Sequence, residues 1–173
     1  YRMRSARQRL AIKLPAAVDT PRDFDAQPPR INGIAAALES GDSDELYVPL
    51  VGQNPDEAFL LELRYTLPGT ASDLQLPDFP DDPAVQKVHL CAYLLGSRGL
   101  WTDERPPWWQ QLKYGTGGQP QSDAGLIQRL LRNVPVTGDP ADTFQTDGRL
   151  YVFSTLRPAP GAEGALSLVT MDS

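Results

Sequence analysis

Apolar and polar residues alternate along residues 57–67 of this chain. The odd positions from Phe59 to Leu67 carry Phe, Leu, Leu, Tyr and Leu, and the even positions between 62 and 66 carry Glu, Arg and Thr. Successive side chains of a strand point to opposite faces, so a period of two indicates a strand with one buried and one solvated face. This pattern is typical of an antiparallel sheet that is covered on one side.

The same reasoning predicts further strands. Residues 86–95 place Val88, Leu90, Ala92 and Leu94 on one face, with Lys87, His89, Cys91 and Tyr93 on the other. Shorter strands are predicted at 8–14, 46–51, 149–156 and 165–170. The compact turn at residues 53–56 lies between two of these strands, so 46–51 and 57–67 are expected to form a hairpin.

One helix is indicated clearly, at residues 122–134. Ser122 can cap its first turn, an apolar stripe follows at helical spacing, and Pro135 ends it. Residues 31–39 are expected to form either a short helix or an apolar crossing. The proline-rich residues 15–30, and residues 70–84 and 96–120, are predicted to be loops.

Together these elements predict a mainly β protein. The best fit is an antiparallel β-sandwich-like domain with one or two helices in long connections, and the alternative is a twisted α+β sheet. At 173 residues the chain is expected to form a single β-rich domain, residues 1–173. Because it begins with Tyr1 and stops soon after a strand, we expect it to be a piece of a longer protein.

Charge is distributed unevenly along the chain. The net charge is −6, but residues 1–22 carry six basic residues and one acidic residue, which leaves about −11 for the remainder. An acidic body repels phosphates, so nucleic-acid binding is not expected. The basic start is interpreted as a solvated tail or as an edge strand protected by charge. Cys91 is the single cysteine, so a disulfide-stapled scaffold is excluded.

Three segments resemble a known class of protein. These are Leu46-Tyr-Val-Pro-Leu, Phe59-Leu-Leu-Glu-Leu-Arg-Tyr-Thr-Leu-Pro and Gln86-Lys-Val-His-Leu-Cys-Ala-Tyr-Leu. They are similar to β-sandwich modules of large, uncharacterised bacterial envelope proteins, over about half of the chain. The resemblance implies a module outside the cytoplasm, periplasmic or in the cell envelope, whose parent protein is membrane-anchored. It implies no particular functional residues.

Residue types that support metal or catalytic chemistry are present but do not form a recognisable motif. His89 and Cys91 share a strand face, yet a zinc site needs three or four ligands. No Gly-x-Ser-x-Gly motif accompanies the single histidine, and Gly115-Thr-Gly-Gly118 lacks the lysine of a phosphate-binding loop. We therefore expect no metal site, no cofactor and no enzymatic activity.

Acidic loops leave two alternatives open. Calcium prefers oxygen-rich loops, and a glycosidase needs two carboxylates across a cleft. The residues available for calcium are Asp42, Ser43, Asp44 and Glu45, or Asp78, Asp81 and Asp82; Asp78, Asp81, Asp82, Asp103 and Glu104 are available for glycosidase chemistry.

The three tryptophans are the candidate binding residues. Trp101, Trp108 and Trp109 lie in a segment predicted to be a loop, beside Asp, Glu, Arg and Gln. Exposed indoles stack on sugars or anchor protein partners, whereas indoles that fold back cap the core. We predict a non-enzymatic structural or protein-interaction module of a larger exported bacterial protein. The alternatives are a carbohydrate-binding module that binds polysaccharide through these tryptophans, and an enzyme that uses loop carboxylates.

Overall fold

The computed structural model describes residues 1–41, 44–68, 73–94, 98–104, 109–112, 149–156 and 166–172. This part of the chain is mainly β and contains one short helix, α1 (Thr20–Ala26). Its strands are β1 (Arg2–Arg4), β2 (Arg9–Ile12), β3 (Arg30–Ile31), β4 (Ile34–Ala35), β5 (Glu39–Ser40), β6 (Leu46–Pro49), β7 (Phe59–Glu62), β8 (Asp73–Leu74), β9 (Ala84–Leu94), β10 (Arg98–Glu104), β11 (Gln110–Leu112), β12 (Arg149–Leu156) and β13 (Leu166–Asp172).

The strands of the described ranges form antiparallel sheets. A seven-stranded sheet has the order β11-β12-β9-β1-β7-β3-β4. Two three-stranded sheets have the orders β10-β13-β8 and β2-β6-β5. The prediction of a mainly β, antiparallel, sandwich-like fold is therefore confirmed.

Both small sheets pack on the seven-stranded sheet. The first core cluster combines residues of the large sheet with residues of β2, β6 and the turn after β6: Met3, Ile31, Phe59 and Leu61 with Leu10, Ile12, Val48 and Leu50. The second cluster joins Val88, Trp109 and Phe153 to Leu166 of β13. Tyr1 and Val85 pack against both clusters, so the two halves of the core are continuous.

The alternation along the two clearest strands predicts their faces correctly. Phe59 and Leu61 are each 1% exposed in the core, and Val88 is likewise 1% exposed. The opposite face of β7, however, is more buried than the alternation predicts. Leu60 is 2% exposed, and the side chains of Glu62 and Arg64 are 13% and 12% exposed.

The predicted hairpin between residues 46–51 and 57–67 is wrong. β6 pairs with β2 and β5, whereas β7 pairs with β1 and β3. The turn that follows Leu50 carries the chain from one sheet to the other, and each strand finds its partners elsewhere. Neighbouring strands in the sequence often pair, but burying both apolar faces favours the crossing here.

Two further expectations for the first forty residues need correction. Residues 15–30 contain a helix, α1, whose N-cap Asp19 accepts a hydrogen bond from the Arg22 N–H at 3.4 Å. Pro21 suits the first helical turn, and this Asp-Thr-Pro signal is the one that indicates the helix. The basic start is not a solvated tail, because β1 is an interior strand and Met3 is 0% exposed. β2 does lie at a sheet edge within the described residues, as predicted.

Residues 31–39 form a hairpin and a crossing rather than a helix. Asn32 and Gly33 have positive φ values of 51° and 83°, as the two-residue turn between β3 and β4 requires. Asn-Gly is the strongest short-range sequence signal for this turn. The chain then crosses to β5 in the β2-β6-β5 sheet, so the apolar-crossing alternative describes residues 36–38.

The predicted loop at 96–120 includes β10 and β11, so that part of the prediction is wrong. The helix predicted at 122–134 and the Gly115–Gly118 segment lie outside the described residues. Strands predicted at 149–156 and 165–170 are confirmed as β12 and β13.

Asn32 connects three segments through hydrogen bonds. Its Oδ1 accepts from the buried Leu60 N–H at 2.8 Å, and its own N–H donates to the Leu60 carbonyl at 2.9 Å. Its Nδ2 donates to Gln53 Oε1 at 3.3 Å. The hairpin turn is therefore tied both to β7 and to the turn after β6.

We expect Asn32→Ala to lower the free energy of unfolding by about 2–3 kcal/mol. The change leaves the Leu60 N–H buried without an acceptor and places an alanine at positive φ. Urea unfolding measures the loss. Asn32→Gly is the matched control, because it removes the same hydrogen bonds without backbone strain and should be about 1 kcal/mol less damaging. Wild-type stability in both variants would contradict this role.

Candidate functional site

The three candidate tryptophans occupy different positions. Trp101 lies in β10, Trp109 directly precedes β11, and Trp108 lies outside the described residues. Trp109 is 3% exposed and packs with Val88 and Phe153 in the second core cluster. The Trp109 indole therefore contributes to the core, and its burial leaves no exposed ring face for a sugar to stack on. For Trp101 and Trp108, ligand binding stays a prediction.

We expect Trp109→Ala to lower the free energy of unfolding by about 3–5 kcal/mol, because it leaves a cavity between β9, β12 and β13. Urea unfolding measures this loss. Gln110→Ala is the control, since Gln110 is exposed and its truncation should change stability by less than about 0.5 kcal/mol. Equal effects of the two changes would contradict the buried position of Trp109.

His89 and Cys91 share the face of β9 that lies opposite the second core cluster. Ser154 is the cross-strand partner of His89, and Val152 is that of Cys91. Burial, followed by the neighbouring Lys87 charge, lowers the pKa of His89 from 6.5 to about 4. The imidazole is therefore neutral at pH 7. Nothing in this arrangement brings a third metal ligand close, and no group of three or more His, Cys, Asp or Glu residues suited to a metal ion occurs within the described ranges.

The shifted pKa of His89 predicts a pH-dependent stability. Between pH 6.5 and 4 the unfolded chain binds a proton at His89 that the folded chain does not bind, so stability falls as the pH falls through this window. Because His89 is the single histidine of the sequence, its NMR titration is unambiguous and should give a pKa near 4.

His89→Gln is the matched variant for this measurement. It should unfold with a smaller loss of stability between pH 6.5 and 4 than the wild type does, because glutamine does not titrate. A histidine pKa near 6.5 in the folded protein, or the same pH dependence in both proteins, would contradict the burial of the imidazole.

Several acidic loop residues have structural partners. Asp78 Oδ1 accepts from the Phe79 N–H at 2.9 Å, and the Asp78 backbone forms a bridge to Lys13. Asp81 forms an ion pair with Arg7 at 3.5 Å. These contacts support the interpretation that residues 78–83 form a turn fixed by local hydrogen bonds. Asp42 and Ser43 lie outside the described residues, so the calcium alternative for that loop stays a prediction.

An open cavity of about 260 Å³ lies between α1 and the end of β7. Its lining comprises Arg22, Asp23, Ala26, Gln27, Arg64, Tyr65 and Thr66. The buried Asp23 accepts from the Thr66 N–H at 3.1 Å, which ties the helix to the sheet. Arg64 Nη2 contacts Glu62 Oε2 at 3.2 Å. Of the charged groups at this cavity, Asp23 joins the helix to the sheet, and Arg64 pairs with Glu62 at the end of β7.

The open end of the large sheet is the candidate interaction surface. β4 is the last strand in the order of the described sheet, and residues 34–40 lead from it to β5, the last strand of the β2-β6-β5 sheet. We call residues 34–40 the edge segment. It carries the exposed Ile34, which is 45% exposed. The edge segment therefore spans the open side of the sandwich from one sheet to the other.

A second exposed apolar residue lies at the same end of the sandwich. Val51 is 86% exposed, and it belongs to the turn whose Gln53 accepts the hydrogen bond from Asn32. Ile34 and Val51 each lie two residues from this hydrogen bond, so they occur at the same end of the sandwich. Sequence reasoning missed this site, although the Asn-Gly dipeptide before Ile34 predicts the hairpin that exposes it.

No protein-family model, curated protein or solved structure matches this chain. Among the described residues, no helix has the length and apolar character needed to span a membrane.

Proposed function

We propose that this domain is a non-enzymatic protein-interaction module of a larger exported protein. The observation that carries this proposal is the edge segment, a strand edge on which Ile34 is exposed, with the exposed Val51 at the same end of the sandwich. Edge strands normally avoid such exposure, because unpaired backbone groups next to apolar side chains invite another chain. In an interaction module, such an exposed edge is the surface that binds the partner chain.

The scaffold supports this proposal. Ile34 follows a turn that Asn32 ties to Leu60 of β7 and to Gln53, so the exposed residues are held on rigid elements. A surface that is held in place before binding loses less conformational entropy on association. The location of the parent protein rests on the sequence resemblance to modules of bacterial envelope proteins.

The experiment uses a photo-reactive amino acid, benzoylphenylalanine, at single positions of the parent protein in its own cells. We expect discrete cross-linked products from positions 34 and 51, and none from position 110. Gln110 is the matched control, since it is exposed on β11 at the opposite end of the same described sheet. The cross-linked protein should be recovered in the envelope fraction.

Absence of products at positions 34 and 51, with circular dichroism showing an intact fold, would overturn the interaction function. Equal products from position 110 would show that contacts are nonspecific. Recovery in the cytosolic fraction would contradict export and leave the interaction itself standing.

A further inference from the structure

The backbone of β4 presents hydrogen-bonding groups to its open side. The turn Asn32-Gly33 makes Ile31 and Ile34 the first hydrogen-bonded pair of the hairpin, and the next such pair is formed by Ala36 N–H and the Pro29 carbonyl at 2.7 Å. Ala35 lies between them. Its N–H and C=O therefore point away from β3, toward the edge that no described strand covers.

The hairpin strand β4 and the crossing that follows it, up to Leu38, lack the usual protection against strand addition. Residues 31–38 contain no charged residue and no proline. Natural edge strands are commonly protected by lysine, proline or a bulge. Ile34 and Ala35 are both exposed, so an added strand could reach the backbone of Ala35 and cover part of the Ile34 side chain.

The surroundings of this edge are acidic. Residues 31–63 contain seven acidic residues and no Lys, Arg or His, and Arg30, the cross-strand partner of Ala35, is 8% exposed. One of the seven, Glu62, is largely buried and paired with Arg64. Glu39 on β5, and Asp56 and Glu57 after the Val51 turn, are exposed. An incoming segment with positive charges is therefore attracted, and one with negative charges is repelled.

We propose that the β4 edge binds an extended segment of a partner protein in which basic and apolar residues alternate. The segment adds to β4 as a further strand and bonds the Ala35 backbone. Its apolar residues cover Ile34, and its Lys or Arg residues face the acidic surface. A second copy of this chain fits less well, because edge-to-edge pairing would bring two acidic surfaces together. This inference rests on the proposed interaction function and names its partner class.

The test is fluorescence anisotropy with the full chain and synthetic peptides. The probe is a fluorescein-labelled peptide in which lysine and valine alternate. Its matched control has the same sequence with every backbone amide N-methylated, which keeps the charge and removes the backbone donors on both edges of the peptide. We expect saturable binding of the first peptide, weakened about tenfold by N-methylation, since one or two backbone hydrogen bonds are lost. A glutamate–valine peptide should not bind.

Two variants locate the binding edge. Ala35→Pro removes the outward N–H and should weaken binding of the lysine–valine peptide about tenfold. Ile34→Lys leaves the backbone unchanged, and should weaken the lysine–valine peptide while strengthening the glutamate–valine peptide. Gln110→Lys adds the same charge at the opposite end of the sheet and should change neither affinity.

Equal binding of the N-methylated peptide, or equal loss in Gln110→Lys, would overturn strand addition in favour of general charge attraction. Absence of binding by the lysine–valine peptide, when cross-links form at position 34, would overturn the basic partner class and leave the interaction function standing. An edge-dependent dimer, lost in Ile34→Lys during gel filtration, would identify a second copy as the occupant.

Discussion

Backbone pairing of β1 on both of its edges makes the seven-stranded sheet continuous. Arg2 and Met3 pair with β7 on one side, and with Lys87 and Val85 of β9 on the other. Within the described sheet order, β1 is the sole link between the β11-β12-β9 part and the β7-β3-β4 part. Because Tyr1 and Val85 pack against both core clusters, loss of this strand would separate the two halves of the core as well as the sheet.

The position of a strand within this sheet determines whether its side chains are buried or exposed. Interior strands of the described sheet bury residues on both faces, as the 2% exposure of Leu60 on β7 and the 1% exposure of Val152 on β12 show. The Arg64–Glu62 ion pair lies on the same face as Leu60. The two charges are tolerated at this largely buried position because each is the partner of the other. Three large apolar residues of the described part of the chain are exposed: Ile34 on β4, Val51 in the turn after β6, and Leu156 at the end of β12. The proposed interaction site lies on β4 because β4 is the last strand of the described sheet, and the turn at Asn32 holds it there.

Prediction from local pattern located the strand at residues 86–95, because alternating apolar residues need no knowledge of their partners. The alternation along residues 57–67 extends beyond the strand that forms there, β7 (Phe59–Glu62). Prediction failed where the signal is short or the partner is distant. Arg2-Met3-Arg4 has a single apolar residue, and only its two neighbouring strands make it an interior strand. The edge site was not predicted, because exposure of Ile34 depends on the absence of a neighbouring strand in the described sheet.

Sequence alone determined that the chain is mainly β, since side-chain alternation is a local property of strands. It also determined that Phe59 and Leu61 of β7, and Val88 of β9, enter the core clusters. Tertiary structure decided which strands pair: β6 and β7 are neighbours in the sequence and lie in different sheets. It also decided that Trp109 belongs to the core and that Ile34 remains exposed. The physical reason is that pairing and burial depend on contacts between residues distant in sequence, which a local pattern does not specify.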